Sequence, residues 1–199
     1  MRVIYFALAL SRITQIPLKH ITYDHKMRNI MLRFKMPTEF FDIVDEDDHN
    51  IGKASREECH KRGLIHRSVM FFVFDDEGRV LVTKRTKTKD FFPGYWSIVL
   101  GGHVHAGESY EEAVVREMEE EAKLKVKPFL ITSFKKRIPE EKENVKVYGV
   151  LAKDNLTLND EELERGEFLG IDEIEEKLKS QNFLPETEIL FGILKGYLS

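Results

Sequence analysis

The chain has 199 residues, enough for one domain with or without an extension, and its 42% hydrophobic content supports a real core. The 31 Lys and Arg against 35 Asp and Glu give a net charge of −4, which argues against a nucleic-acid polymer as partner. The single cysteine excludes a disulfide framework within the chain and fits a reducing compartment, so we expect a cytoplasmic protein.

The first 35 residues lack the pattern of a domain. The apolar run 3–10 is too short to cross a bilayer, so no membrane association is expected, and it mimics a secretory signal only weakly. Met31 and Met36 offer alternative starts. We predict an N-terminal extension over residues 1–35, non-native or disordered, and one domain over 36–199, with a signal peptide as the alternative.

Apolar periodicity and turn residues predict the elements of this domain in chain order. The predicted strands are 40–44, 69–74, 79–85, 97–100, 126–136, 145–152 and 167–169, and the predicted helices are 55–61, 109–122, 171–179 and 185–198. Loops are expected at 87–95 and 138–144. Mixed strands with helices on either side predict an α/β protein, an α+β mixed sheet in an α/β/α sandwich.

The helix predicted over 109–122 carries an acidic cluster beside an apolar stripe. At 100° per residue the stripe covers about 140° of the helix. Its members are Tyr110, Val114, Val115, Met118 and Ala122. Glu121 falls inside the stripe, and Glu117 and Glu120 border it. Because an ionised carboxylate at the edge of a core is costly unless it is paired or binds a metal, these three glutamates predict a site for Mg²⁺ or Mn²⁺.

Gly101 and Gly102 precede this helix and follow a predicted strand. Glycines allow the backbone to approach a ligand closely, so the carbonyl of Gly102 is a further candidate metal ligand. The plainer interpretation is a solvated acidic helix face. That interpretation accounts for Glu112 and Glu119 but poorly for the three glutamates together.

Residues 102–124 resemble the Nudix box, G-x5-E-x7-R-E-U-x-E-E-x-G-U, where U is a bulky apolar residue. The matching residues are Gly102, Glu108, Arg116, Glu117, Met118, Glu120, Glu121 and Leu124. Lys123 stands where the box has its second glycine, which predicts an altered or extended helix end. The resemblance implies the Nudix-type α/β/α sandwich and a Mg²⁺- or Mn²⁺-dependent hydrolase that cleaves a diphosphate bond in a nucleoside diphosphate derivative or similar small molecule.

The resemblance also implies roles for individual residues. Glu117, Glu120 and Glu121, with Gly102, would hold the metal, and a box glutamate, Glu117 first, would orient or deprotonate the attacking water. Arg116 would hold Glu117 by a charge-assisted hydrogen bond, and Glu108 would support the loop before the helix. Lys84 and Arg85, at the end of a predicted strand, are candidates for substrate binding, with solvation at the strand edge as the alternative. Many relatives are dimers, so a homodimer is a further expectation.

Residues 63–67 and 96–109 more narrowly resemble the branch that contains isopentenyl diphosphate isomerase. That enzyme uses a cysteine directly before the Gly-His of its box region, where this chain has Gly101. His66 and His103 are retained, with His60 as a candidate third member, and they either form a second metal site or are inherited structure. An isomerase-like enzyme and a non-catalytic nucleotide-binding module therefore stay open as alternatives to the hydrolase.

Overall fold

Nine strands form one mixed sheet in the part of the chain that the computed structural model describes, residues 38–88, 92–139, 141–152 and 156–199. The strands are β1 (Phe40–Val44), β2 (Asn50–Ser55), β3 (His66–Phe74), β4 (Val80–Arg85), β5 (Trp96–Ser97), β6 (Leu100–His103), β7 (Phe129–Arg137), β8 (Lys142–Leu151) and β9 (Leu163–Leu169). The helices are α1 (Arg56–Arg62), α2 (Tyr110–Ala122), α3 (Ile171–Ser180) and α4 (Thr187–Leu198). The extension predicted over 1–35 lies outside the described residues.

Strand β3 organises the sheet. It runs antiparallel to β1, β4 and β6, and parallel to β8 from the pair His66↔Glu143 to the pair Phe74↔Leu151. Strands β5 and β9 pair with β4, β7 pairs with β8, and β2 pairs with β1. A strand whose two faces are both covered needs apolar residues on both faces, and β3 supplies them, because all six residues from Val69 to Phe74 are apolar and buried.

Two hydrophobic cores lie on opposite faces of the sheet. Alternate residues of β3, such as Phe71, face α2, and the residues between them, such as Phe72, face α3 and α4. Val114 and Met118 of α2 pack in the first core, whereas the second core contains Ile174, Leu190 and Leu194 of the last two helices. This arrangement confirms the predicted α/β/α sandwich. No helix among the described residues is both long and apolar enough to span a membrane.

Several element boundaries differ from the prediction. Strand β2 was not predicted because its sequence, NIGKAS, contains few apolar residues and, among the described strands, it pairs with β1 alone. The single strand predicted over 97–100 is two strands. A local turn separates them, in which the Ser97 hydroxyl donates to the Val99 carbonyl at 2.7 Å and accepts from the Val99 N–H at 3.2 Å. Strand β9 is longer than the predicted 167–169.

Helix α2 begins and ends where the sequence predicts. Ser109 is the N-cap of a capping box with Glu112, each residue accepting a hydrogen bond from the backbone N–H of the other. The predicted alteration or extension of the helix end is wrong. The helix stops at Ala122, and Lys123 itself adopts the left-handed conformation, with φ 55° and ψ 24°. Lys123 therefore occupies the conformation that a glycine would take.

The buried face of α2 is rotated relative to the predicted stripe. Val115, predicted to be apolar core, is 51% exposed, whereas Ala113 and Glu117 are buried. Glu117 therefore lies within the buried face rather than at its border. The rotation places this carboxylate against strand β6.

Candidate active site

Glu108 and Arg116 fix the junction between β6 and α2. The Arg116 guanidinium donates from Nε and Nη2 to the two carboxylate oxygens of Glu108, both at 2.9 Å, and Nη2 also donates to the carbonyl of His103 at 2.9 Å. Glu108 also accepts from the backbone N–H of His105. These bonds join the loop, the strand and the helix, as the sequence predicted for Glu108.

The Glu117 carboxylate lies directly against Gly102. A Cβ atom built on Gly102 would lie 2.5 Å from the carboxyl carbon of Glu117 and 2.8 Å from its Oε2, so no larger residue fits while this carboxylate keeps its position. Oε1 accepts a hydrogen bond of 2.6 Å from Nη1 of Arg116. Burial raises the pKa of Glu117, and the Arg116 guanidinium offsets this increase only in part.

The other two glutamates of the predicted metal site differ in exposure. The carboxylate of Glu121 accepts a hydrogen bond of 2.9 Å from the N–H of Gly101, so it also faces strand β6. The side chain of Glu120 is 59% exposed, and its Oε2 lies 3.6 Å from Nη1 of Arg116. Gly101 and Gly102 of β6 thus contact two carboxylates, and Arg116 brings the third to the same side of α2.

The acidic charge of this region exceeds its basic charge. Among the described contacts, Glu108, Glu117 and Glu120 lie within 3.6 Å of one guanidinium, that of Arg116. All the donor atoms are oxygens, which is the set that Mg²⁺ and Mn²⁺ prefer. A buried carboxylate with an incomplete counter-charge and oxygen neighbours fits such a cation.

The two predicted substrate-binding residues, Lys84 and Arg85, lie at the end of β4. The ammonium of Lys84 is 3.3 Å from Oε1 of Glu164 rather than at α2, and its backbone pairs with that of Trp96. A register shift separates Lys84 from Arg85 in the pairing with β9. Their role in substrate binding stays a prediction.

The predicted histidines converge on the sheet face opposite α2. The rings of His60, His66 and His103 have centroids between 5.1 and 5.7 Å apart, and Phe41 stacks on the last two. One nitrogen from each histidine lies within 4.8 Å of one nitrogen from each of the others. His103, Glu141 and Glu143 form a second such group, and these are the groups of this kind found among the described residues. Glu117, Glu120 and Glu121 do not form such a group, because their carboxylate oxygens do not all lie within 4.8 Å of one another.

The hydrogen bond of His66 fixes which of its nitrogens can bind a metal. Nδ1 lies 3.0 Å from the carbonyl oxygen of Leu64, which can only accept, so Nδ1 carries the proton. Burial, with the neighbouring His103, lowers the pKa of His66, so the ring is neutral at pH 7. The bare Nε2 has no hydrogen-bond partner among the described residues and faces Oε1 of Glu143 at 3.7 Å. Two acceptors that face each other in this way fit a cation between them.

A buried lysine lies on the other side of Glu143. The side chain of Lys136 is 7% exposed, and its ammonium lies 3.5 Å from Glu143 and 3.5 Å from Glu186 and contacts Glu141. Burial alone would lower the pKa of Lys136, but the three carboxylates outweigh it and raise the pKa. Burial would also raise the pKa of Glu143, but the contacts with His103 and Lys136 hold it well below its usual range. Both groups are therefore charged at pH 7.

The sequence analysis missed Glu141, Glu143 and Lys136. Residues 138–144 were predicted to be a loop, but Glu143 belongs to β8, where its backbone pairs with His66. The signal available in the sequence was the Glu-x-Glu spacing, because residues two apart on a strand share a face. Nothing in that spacing indicates that the face is the one that carries the histidines.

Comparison with known proteins assigns most of this chain to one family. The model of the NUDIX domain family matches residues 64–187. A Nudix hydrolase of Pseudomonas aeruginosa is 31% identical over 72% of this chain and 86% of its own length, and one of Streptomyces coelicolor is 51% identical over 42% of this chain. The match spans only 46% of the length of the Streptomyces protein.

Among solved structures, the fold is similar to that of DR0079 from Deinococcus radiodurans. The TM-score is 0.67 at 23% identity, over 79% of this chain and 98% of that one. At this identity the likeness concerns the fold alone. The family match over residues 64–187 and the Pseudomonas relative show that this chain belongs to the Nudix hydrolase family.

Proposed function

We propose that this protein is a Mg²⁺- or Mn²⁺-dependent hydrolase that cleaves the diphosphate bond of a nucleoside diphosphate derivative or a similar small molecule. The observation that carries the proposal is the position of Glu117, whose buried carboxylate lies against Gly102 while Arg116 holds one of its oxygens. Glu117, Glu120 and Glu121, with the carbonyl of Gly102, would hold the cation. When bound, this cation would neutralise phosphate charge and acidify a bound water.

In this mechanism the side chains orient the attacking water. The bond from Arg116 to Oε1 of Glu117 fixes the direction of Oε2. Glu117 then accepts the proton as the water oxygen attacks one phosphorus and the bond from that phosphorus to the bridging oxygen breaks. The bridging oxygen leaves with the second phosphate, so each product carries one phosphate group. Glu120, which is more exposed than Glu117, lies where a substrate can approach from solvent.

Glu120→Gln tests this assignment, because it removes one negative charge without changing the size of the side chain. We expect kcat to fall about 100-fold or more with Mg²⁺, while thermal unfolding in the absence of metal stays unchanged. Glu119→Gln is the matched control, since Glu119 is the neighbouring glutamate of α2 and no role in the site is assigned to it. Full activity in Glu120→Gln would refute the metal assignment.

The substrate class is tested with a panel of nucleotide sugars, dinucleotides, oxidised nucleotides and prenyl diphosphates. Release of a monophosphate or orthophosphate with Mg²⁺ supports the hydrolase. The segments that would choose among these compounds include the predicted loop 87–95, in which Phe92 has a φ of 50°, and the connection between β7 and β8. Lys84 and Arg85 stay candidates for substrate contact, and their alanine variants should raise KM more than they lower kcat.

We also propose that His66 and His103, with His60 and Glu143, form a second metal site. The bare Nε2 of His66 opposite Glu143 supports it, and imidazole ligands indicate a borderline metal such as Zn²⁺. Metal analysis of the purified protein tests the site. A bound transition metal that is lost in His103→Gln supports it, and equal metal content in both proteins contradicts it.

The same histidine cluster favours the isomerase-like enzyme as a second candidate. Gly101 opposes it, because a Cβ at this position would lie 2.9 Å from the Cα of Met70, so the backbone leaves no room for a thiol side chain. Uptake of solvent deuterium into isopentenyl diphosphate would support the isomerase. Tight nucleotide binding without turnover would instead indicate a non-catalytic module.

A further inference from the structure

The hairpin of β1 and β2 is bonded to the segment that connects β6 to α2. The N–H of Ala106 donates to the carbonyl of Phe40 at 2.8 Å, and the N–H of Gly107 donates to Oδ2 of Asp42 at 3.0 Å. The same segment carries Glu108, which fixes the junction between β6 and α2. The hairpin therefore holds the connection on which the glutamates of α2 depend.

The turn of this hairpin carries Asp48, whose Oδ1 accepts hydrogen bonds from three other elements. The donors are Nε of Arg67 in β3 at 3.0 Å, the hydroxyl of Tyr110 in α2 at 3.1 Å and Nδ2 of Asn144 in β8 at 3.1 Å. The carbonyl of Asp48 accepts a further hydrogen bond from Nη2 of Arg67. One carboxylate oxygen thus joins two central strands to the first residue of the helix.

The backbone of the turn is shaped to present this carboxylate. Asp48 has a φ of 68°, a left-handed conformation that aspartate adopts more readily than most residues do. Its N–H donates to the carbonyl of Asp45 at 3.1 Å, and Oδ1 of Asp45 accepts from the N–H groups of Asp47 and His49, both at 2.9 Å. These local bonds fix the turn before any contact with the rest of the sheet is made.

Tyr110 is suited to this contact, because it is buried and its hydroxyl keeps its proton. Burial, and then the negative charge of Asp48, raise the pKa of Tyr110. Two cations lie over its ring, with Cζ of Arg67 5.5 Å and the ammonium of Lys146 4.5 Å from the ring centroid. The start of α2 is thus held by a side chain as well as by the Ser109 cap.

The connection between β6 and α2 is also held at its other end. Val104 donates its N–H to the carbonyl of Arg67 at 3.0 Å, and Arg67 is itself bonded to Asp48. Glu117 lies so close to β6 that a Cβ atom on Gly102 would be 2.5 Å from its carboxyl carbon. The position of α2 relative to β6 therefore decides where this carboxylate lies.

From these contacts we infer that Asp48 is a positioning residue for diphosphate hydrolysis: by tying the start of α2 to β3 and β8, it sets the position of the Glu117 carboxylate against β6. This inference rests on the function proposed above. Asp48 would act through Tyr110 and Arg67 and would touch neither substrate nor metal. The hairpin lies outside residues 64–187, which the family model matches, so the Nudix box gives no indication of this role.

The test compares Asp48→Gly with two other variants of the same turn. Asp48→Gly removes the carboxylate and keeps the left-handed conformation without strain. Asp47→Gly is the matched control, because Asp47 is the adjacent, exposed aspartate and its glycine variant gains similar flexibility in the unfolded chain. Asp48→Asn is the conservative variant, since it keeps an acceptor oxygen and asparagine also tolerates this conformation.

Activity is measured with Mg²⁺ and a diphosphate substrate, far below the melting temperature of each variant. We expect kcat to fall about tenfold or more in Asp48→Gly, because the carboxylate of Glu117 is displaced. KM should stay within about twofold, because Asp48 does not touch substrate, and the Mg²⁺ concentration for half-maximal activity should rise. Asp47→Gly should keep the wild-type kcat, and Asp48→Asn should recover most of it. A purely structural role would lower the melting temperature and leave kcat unchanged far below it.

Tyr110→Phe removes only the hydroxyl, and it decides the question if Asp48→Gly does not fold. Because the two residues share one hydrogen bond, Asp48→Gly/Tyr110→Phe should lose no more kcat than Asp48→Gly alone. A kcat within about twofold of wild type in both single variants, or an equal loss in Asp47→Gly, would overturn the role of Asp48 and leave the hydrolase standing. Absence of diphosphate turnover in the wild-type protein would overturn the proposed function, and the role of Asp48 with it.

Discussion

Gly102→Ala should separate the fold of this protein from its activity, because the added methyl group would meet the Glu117 carboxylate. The new Cβ would lie 2.5 Å from the carboxyl carbon of Glu117, whereas ordinary van der Waals contact begins at 3.4 Å. The carboxyl group must therefore retreat by about 1 Å. A displacement of this size in a catalytic group costs on the order of 100-fold in rate.

The cost to stability should be small by comparison, because the clash is with the end of a side chain that can rotate away. We therefore expect kcat for a diphosphate substrate to fall about 100-fold and the Mg²⁺ concentration for half-maximal activity to rise, while the circular dichroism spectrum stays native. Gly52→Ala is the control, since a Cβ there meets no atom within 4 Å. Wild-type kcat and metal dependence in Gly102→Ala would show that the position of Glu117 against Gly102 has no part in catalysis.

Two further predictions concern helix α2 without metal. Lys123→Gly should raise the free energy of unfolding by about 0.5–1 kcal/mol in urea titrations. The left-handed conformation costs a lysine roughly 1–2 kcal/mol, and the greater flexibility of glycine in the unfolded chain offsets part of this gain. A loss of stability would mean that the hydrogen bond from the Lys123 ammonium to the Glu119 carbonyl is the larger effect. Glu117→Gln should raise the melting temperature at pH 7. Burial raises the pKa of Glu117 in the folded protein above its value in the unfolded chain. As the pH rises from the unfolded to the folded pKa, ionisation therefore lowers the stability of the wild-type protein, and the glutamine variant does not lose this stability. A melting temperature that falls equally in both proteins between pH 4 and 7 would contradict the assignment.

The sequence predicted those features of the fold that depend on local patterns. The spacing of Val114 and Met118 and the Ser109 cap predicted α2 to within a residue, and the apolar run of β3 predicted a central strand. The left-handed conformation of Lys123 could not be predicted in this way. The terminal carbonyls of α2 accept hydrogen bonds from a distant loop, at 3.1 Å from Thr157 to Ala122 and at 2.9 Å from Asn159 to Glu121. These tertiary contacts accompany the left-handed conformation that Lys123 adopts without being a glycine.

The rotation of the buried face of α2 has a similar origin. A helical wheel weights residues by polarity, so it placed Val115 within the core face and left Glu117 at the border. In the protein, Gly102 provides space that a larger residue would fill, and Arg116 supplies a hydrogen bond, so a glutamate can be buried there. The sequence showed an unusual acidic cluster, but only the packing against β6 shows which member of the cluster is buried.

The histidine cluster depends on pairing between distant strands, which local patterns do not encode. His66 and Glu143 meet because β3 and β8 run parallel in a register that pairs these two residues. Strand β6 joins this cluster to the α2 glutamates, since Gly102 lies against Glu117 while the next residue, His103, reaches Glu143 on the other face. Arg116 reinforces the junction, because it binds Glu117 and the carbonyl of His103 with one guanidinium. The two candidate centres are therefore one residue apart on a single strand, so a shift of β6 that displaces one of them must displace the other.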